Sequence, residues 1–266
     1  MFLRKKPGGP GWNDGAADVI RCAHEQFRYQ PAISGPAPGD PAAWMAVRLI
    51  PGPVAGFSAN ARLSARDLTC SRSDTVLFSG LSFELRAGEL VQIAGANGSG
   101  KTTLLRCLSG LFTADHGEVL WNGSPINKVR AEYTAALRFI GHKTGIKHDM
   151  TAVENLALEA KLSGNSNGFT PQAALRRLGI KRTEALPCRA LSMGQQRRVA
   201  LARLLLSSAQ LWILDEPLAS LDTAGQELVN ELLQEHAEAG GMAVFSSHHG
   251  LESGANRFTS IVLGNE

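Results

Sequence analysis

One nine-residue stretch, "GANGSGKTT" (Gly95–Thr103), constrains this chain more than any other. It matches G-x-x-x-x-G-K-[ST], with Gly95, Gly100, Lys101 and Thr102 in the fixed places. Glycines let a backbone curl until successive N–H groups point inward at phosphate oxygens. Gly95, Gly98 and Gly100, with Ala96, Asn97 and Ser99 between them, supply that curl. A helix follows and adds the positive end of its dipole. Lys101 can then reach the β- and γ-phosphates of a nucleotide, and the Thr102 hydroxyl can ligate Mg²⁺. Thr103 completes the nucleotide-binding set. An apolar strand pattern, "ELVQIAG" (Glu89–Gly95), precedes the loop, which is the context such a cradle requires.

Phosphate chemistry needs a second half, and "LWILDEP" (Leu211–Pro217) has its composition. The apolar run Leu211–Leu214 suits a strand buried on both faces, with Asp215 at its carboxyl end, where ligands of open parallel sheets bind. Asp215 can hold the Mg²⁺ shell, while Glu216 can orient or deprotonate an attacking water. Upstream, "LSMGQ" (Leu191–Gln195) opens a helix whose first N–H groups, beside the Ser192 hydroxyl, make a second anion-binding surface. One nucleotide does not need two such helix ends from one chain. A symmetric pair of chains uses both, each closing the other's ATP.

Around these segments the chain divides unevenly. Residues 1–60 hold eight of the twelve prolines and eight glycines, too many breakers to bury a core. "MFLRKKPGGPG" has a basic start but no apolar stretch after it, unlike a signal peptide. Residues 1–61 are therefore expected to be either a disordered extension or a product of translation that starts in truth near Ala61. From Arg62 the chain is regular, and 62–266 is expected to be one ATPase domain. "TVLFSGLSFEL" (Thr75–Leu85) and Glu89–Gly95 read as strands joined by the turn at "RAGE". A helix is expected from Lys101 to Leu108, then strands at Gly117–Gly123 and Leu137–His142. Thr151 and Glu154 form a capping box that opens a helix to about Leu162, and Pro171 starts another. The remainder alternates: helix 192–207, strand 210–214, helix 222–239, strand 242–247, strand 257–263. Strands separated by helices predict an α/β core with a mostly parallel sheet, carrying a helical block at about 143–190.

Charge and cysteines bound the partners. The net charge of +3 leaves residues 61–266 nearly neutral once the +2 of residues 1–60 is removed, which argues against a nucleic-acid surface. Cys22, Cys70, Cys107 and Cys188 follow no CxxC spacing and read as unpaired thiols. No stretch approaches eighteen uninterrupted apolar residues, so none is expected to span a bilayer.

With Gly95–Thr103, Leu191–Gln195, Asp215 and Glu216 in this order, the sequence resembles the ATP-binding subunit of an ABC transporter over roughly residues 62–266. The resemblance implies a P-loop NTPase of ABC type, with an antiparallel β subdomain and an inserted helical subdomain beside the parallel core. It makes Ser192, Met193, Gly194 and Gln195 the LSGGQ signature acting in trans, with Met193 in place of a glycine. Ser220-Leu221-Asp222 resembles the D-loop, with Asp222 its acid. His248, after "VFSS", takes the place of the switch histidine that contacts γ-phosphate. Two positions depart from the pattern. Arg72 falls where an aromatic residue usually stacks on adenine, and a guanidinium plane can stack in its stead. His142 falls at the glutamine of the Q-loop; through one ring nitrogen it can bond a water or the Mg²⁺ shell.

"GEVLWNG", "IGHKTGIK", "LSMGQQRRVALARLLL" and "LWILDEPLASLD" together resemble the ATPase subunit of the cytochrome c maturation system, the haem exporter. That implies a peripheral protein on the cytoplasmic face of the bacterial inner membrane. It would work as a homodimer on integral membrane permease subunits, hydrolysing ATP with Mg²⁺. The chain lacks CxxCH, so no haem is expected on it. An ABC ATPase for another small solute would keep the same fold and site. One acting on DNA or ribosomes would bring coiled coils or tandem ATPase units, and neither is in the sequence. A non-hydrolysing regulatory subunit would have little use for Glu216.

Overall fold

A computed structural model of the chain describes residues 57–73, 75–163, 168–181, 185–247 and 258–264. Among these residues the strands form two sheets. In the first, β1 (Arg62–Arg72) pairs antiparallel with β2 (Thr75–Arg86) on one side and with β4 (His116–Trp121) on the other. A two-residue strand, β5 (Ser124–Pro125), closes the order β2-β1-β4-β5. The second sheet comprises β6 (Leu137–Ile140), β7 (Leu211–Leu214), β8 (Met242–Ser246), β3 (Leu90–Gly95) and β9 (Phe258–Leu263), in that order, and every neighbour is parallel.

Within the parallel sheet β7 and β8 are buried on both faces, which is why they read as continuous apolar runs. Alternate residues serve two cores. Leu211, Ile213, Met242 and Val244 join Ile93, Leu104, Leu108 and the inner face of the antiparallel sheet, including Leu63 and Leu68. Trp212, Leu214, Ala243 and Phe245 join Leu156, Leu175, Val199 and Leu204. The period of two along a strand assigns each side chain to its layer.

Six helices decorate this frame among the described residues: α1 (Lys101–Leu108), α2 (Arg130–Ala136), α3 (Ala152–Ser163), α4 (Pro171–Arg177), α5 (Met193–Ala202) and α6 (Thr223–Glu238). The box expected before α3 forms: Glu154 N donates to Thr151 Oγ1 (3.1 Å) and Thr151 N to Glu154 Oε2 (2.8 Å). Thr170 caps α4, accepting from Ala173 N, with Pro171 in the first turn. Helices α3 and α4 pack with α5 over the second core.

Three features differ from the sequence reading. The strands flanking "RAGE" part company, with β2 in the antiparallel sheet and β3 in the parallel one. The helix expected to reach residue 207 ends at Ala202 and tightens into a 3₁₀ turn, Arg203–Leu206, before Ser207 becomes extended. Strand β1 and helix α2 lack a period long enough to read. The buried residue of α2, Tyr133, donates its hydroxyl to the Leu108 carbonyl and so anchors α2 to the end of α1.

The buried thiols of Cys70 and Cys107 share a hydrogen bond of 3.4 Å and no disulfide, and Cys188 is likewise outside any disulfide; Cys22 lies outside the described residues. Burial pushes the Cys107 thiol up, which keeps it protonated. No helix among the described residues is long and apolar enough to cross a membrane.

Candidate functional site

β3 delivers the chain to the phosphate loop and α1 carries it away. Gly95 has φ 142°, and a Cβ there would lie 2.3 Å from the Leu263 carbonyl oxygen of β9, so only glycine fits between loop and edge strand. Lys101 is buried, and its Nζ donates to the carbonyls of Gly95 (2.7 Å) and Ala96 (2.9 Å), which puts the ammonium at the centre of the curl. Ser99 Oγ is buried with no hydrogen-bond partner among the described residues, an orphaned polar atom that a phosphate oxygen would satisfy. Gly100 caps α1, and the first-turn N–H groups behind it have no partner within the helix.

The acid pair closes on this loop from β7. Thr102 Oγ1 lies 3.0 and 3.2 Å from the two carboxylate oxygens of Asp215, itself 2% exposed. A hydroxyl beside a carboxylate is the donor set that a hard divalent cation takes, so the residues fit Mg²⁺. Ser246 Oγ donates to Asp215 Oδ1 (2.9 Å) and accepts from Glu216 N (2.8 Å), holding both acids from the end of β8. Glu216 has φ 51°, a left-handed conformation that a residue with a Cβ adopts at some cost. With Leu218, Ser220, Gln226, Ser246 and Ser247 among others, Glu216 lines a cavity of about 210 Å³. A larger hollow of about 590 Å³, between Ser58–Arg62, Glu84, Arg86 and Asn122, shares no residue with it.

Ser192 heads α5 as its N-cap: its hydroxyl accepts from Gln195 N (3.2 Å), and Gln195 Oε1 accepts from Ser192 N (2.9 Å). The side chain of Met193 is exposed, so the position expected to hold a glycine tolerates it. Gly194 is different: a Cβ there would lie 2.7 Å from the Ser220 carbonyl oxygen. Among the described residues no hydrogen bond or ion pair joins Leu191–Gln195 to Gly95–Thr103 of the same chain.

Further along α5, Arg197 is almost fully buried and reaches the acid pair. It donates to the carbonyls of Asp215 (Nη2, 2.7 Å), Glu216 (Nη2, 2.7 Å), Pro217 (Nε, 3.4 Å) and Gly141 (Nη1, 3.0 Å). Burial pulls its pKa below the ordinary value, and the Asp215 and Glu216 carboxylates push back. Sequence reading missed this residue. The apolar run Val199–Ala202 marks this helix as buried, but nothing in it marks a basic residue as buried too.

The remaining candidates fall at different distances from this centre. His142 Nδ1 is 3.6 Å from Glu216 Oε2, so the structure brings His142 to the second acid of the pair. Arg72 is exposed at the end of β1, opposite Thr75. That hairpin meets the loop through Leu77 and Phe78, which crowd Gly100. Asp222 caps α6, accepting from Gly225 N (3.0 Å), and pairs with Arg198. The Gly225 N–H, then Arg198, hold its carboxyl below the usual range. His248 lies outside the described residues.

A phosphate loop at the carboxyl end of a parallel strand, an acid pair on the next strand but one and a capped glycine turn on a helical insert define an ATP-binding cassette. A family model described as ABC transporter matches residues 78–219, and the chain belongs to that family, as an ATP-hydrolysing subunit. Its similarity is particular. The cytochrome c biogenesis ATP-binding export protein CcmA of Escherichia coli (strain K12) is 47% identical over 203 residues, 76% of this chain and 96% of that protein. The protein of the same name from Aliivibrio fischeri is 45% identical over 202 residues, 76% of this chain and 99% of its own length. Among solved structures, an ABC transporter ATP-binding protein from Pyrococcus furiosus superposes with a TM-score of 0.66 at 27% identity, covering 76% of this chain and 97% of that one. A dimeric ATP-binding cassette bound to ADP and Pi shares the fold, with a TM-score of 0.61 at 22% identity over 70% of this chain and 88% of that one.

Proposed function

We propose that residues 62–266 form the ATPase of a complex for c-type cytochrome biogenesis, working as a homodimer on integral membrane subunits at the cytoplasmic face of the inner membrane. Support for the cellular role is the 45–47% identity to CcmA proteins across nearly their whole length. The observation that carries the chemistry is the contact of Thr102 with Asp215, which joins the phosphate loop to the acid pair.

Gly95–Thr103 cradle the triphosphate, and Lys101 turns from its loop carbonyls to the β- and γ-phosphates. Thr102 and Asp215 would hold Mg²⁺, which would supply positive charge to offset that of the phosphates. Glu216 accepts a proton from water as the water oxygen bonds to the γ-phosphorus. The bond from that phosphorus to the β–γ bridging oxygen breaks, and ADP and phosphate leave. His142 braces Glu216 from the side. The Ser192–Gln195 turn of the second chain closes the open face of the nucleotide, His248 serves as the switch histidine for the γ-phosphate, Asp222 as the acid of the D-loop, and Arg72 lies against adenine.

Turnover of wild type and Glu216→Gln, with and without the co-expressed membrane subunits, tests this reading. The variant should lose about 10²-fold or more in kcat while still binding ATP. Retained turnover would refute the assignment of Glu216. Deletion of the gene should abolish c-type cytochromes; their persistence would refute the cellular role.

A further inference from the structure

We propose that Arg197 is a positioning residue for ATP hydrolysis: one buried guanidinium that fastens the Ser192 helix to the backbone of the acid pair and to the turn bearing His142. The proposal rests on Glu216 being the acid that handles the water.

Its four acceptors are all backbone carbonyls, on Gly141, Asp215, Glu216 and Pro217, and no carboxylate bonds it among the described residues. A cation buried without such partners is expensive, so the carbonyl array is its compensation. The array comes from two segments, one after β6 and one after β7, while the arginine belongs to α5. A planar fork with donors on three nitrogens can span both segments; a lysine's single ammonium cannot.

The strained backbone of Glu216 gives this span its purpose. A left-handed residue with a Cβ persists only where its surroundings over-determine it. Here the N–H of Glu216 is held by Ser246, and its carbonyl by Arg197 (2.7 Å) and by the Ala219 N–H (3.1 Å). Without the guanidinium that carbonyl keeps the longer Ala219 bond alone, and the Glu216–Pro217 peptide gains room to relax, taking the carboxylate with it. The other end of the helix repeats the device. Arg203 donates to the Thr144 carbonyl (Nη1, 3.2 Å), so carbonyls on both sides of His142 and Lys143 are gripped from one helix and its continuation. A displacement of the Ser192 turn therefore reaches both His142 and Glu216 through rigid links.

The test uses the full chain in complex with its membrane subunits. Arg197→Lys and Arg197→Gln are compared with wild type for kcat, KM for ATP, affinity for a fluorescent ATP analogue without turnover, and amide hydrogen exchange. In Arg197→Lys, kcat should fall about tenfold or more while KM and analogue affinity stay within about threefold, because the phosphate loop is untouched. Segments 137–144 and 211–217 should exchange faster together, with 95–108 unchanged. Wild-type kcat in Arg197→Lys, analogue affinity falling in step with kcat, or faster exchange confined to α5 would each overturn the proposal. If neither variant folds, wild-type exchange decides. The segments 137–144, 193–202 and 211–217 should open with one common free energy, and independent opening overturns the proposal. A Glu216→Gln protein with wild-type turnover would overturn the acid assignment, a failure distinct from loss of the grip, which exchange reads directly.

Discussion

At the scale of single residues, the turn that heads α5 shows how differently two neighbours are constrained. Met193 points to solvent while Gly194 lies against the Ser220 carbonyl. Gly194→Ala must push the Ser220 segment aside, and a urea midpoint should register a loss of about 1–3 kcal/mol. Met193→Ala should stay within about 0.5 kcal/mol of wild type in the same measurement. A second residue governs acid stability. His236 is stacked on Trp212 at 3.7 Å, meets the edge of Phe57 and bonds the Gln210 carbonyl through Nε2. Burial pulls its pKa down to about 3 from 6.5, so the folded protein keeps the ring neutral where the unfolded chain protonates it. The unfolded state then binds more protons, and stability falls as pH drops from 6.5 toward 3. Urea unfolding should show a loss of about 2 kcal/mol between pH 7.5 and pH 5 from this group, with a shallower slope in His236→Gln.

At the scale of elements, helix caps and apolar strands were legible because each has a local cause. Thr151 with Glu154, Pro171, and the run Leu211–Leu214 declare themselves within a few residues, whereas the Thr170 cap was not read. Sheet membership of β2 and β3 did not, because nothing in "RAGE" records which distant strand each will pair with. Arg197 was hidden for a related reason: a basic residue on a helix reads as solvated until the carbonyls that meet it are known. The motif residues of the phosphate loop and the acid pair were legible outright, and His142 was, but not its contact with Glu216. A further ionic joint was equally hidden. Glu159 of α3 pairs with Arg138 of β6 (2.6 Å) and with Arg203 (2.8 Å), all three largely buried. Glu159→Gln leaves two cations without their counter-charge, and thermal or urea unfolding should show a loss of about 3 kcal/mol.

At the scale of the whole molecule, the phosphate loop and the Ser192 turn are carried by different layers and, among the described residues, do not bond within one chain. In the paired arrangement proposed above, a second copy supplies what the first does not bring to itself. Glu216→Gln with ATP and Mg²⁺ should therefore run as a dimer in size-exclusion chromatography with light scattering, and Lys101→Ala under the same conditions as a monomer. A monomeric Glu216→Gln protein at saturating ATP would speak against the paired arrangement.

The edge strand β9 has a temporal consequence. It runs the full length of β3, pairing Leu90 with Phe258 and Gly95 with Leu263, across a sequence separation of 168 residues. Such distant pairings form slowly because the chain must close a long loop before they reward it. On the ribosome, the glycine curl, the acids and the Ser192 turn all emerge before the strand that walls in Gly95. A nascent chain thus carries every phosphate-binding group of the loop well before it can hold them in shape.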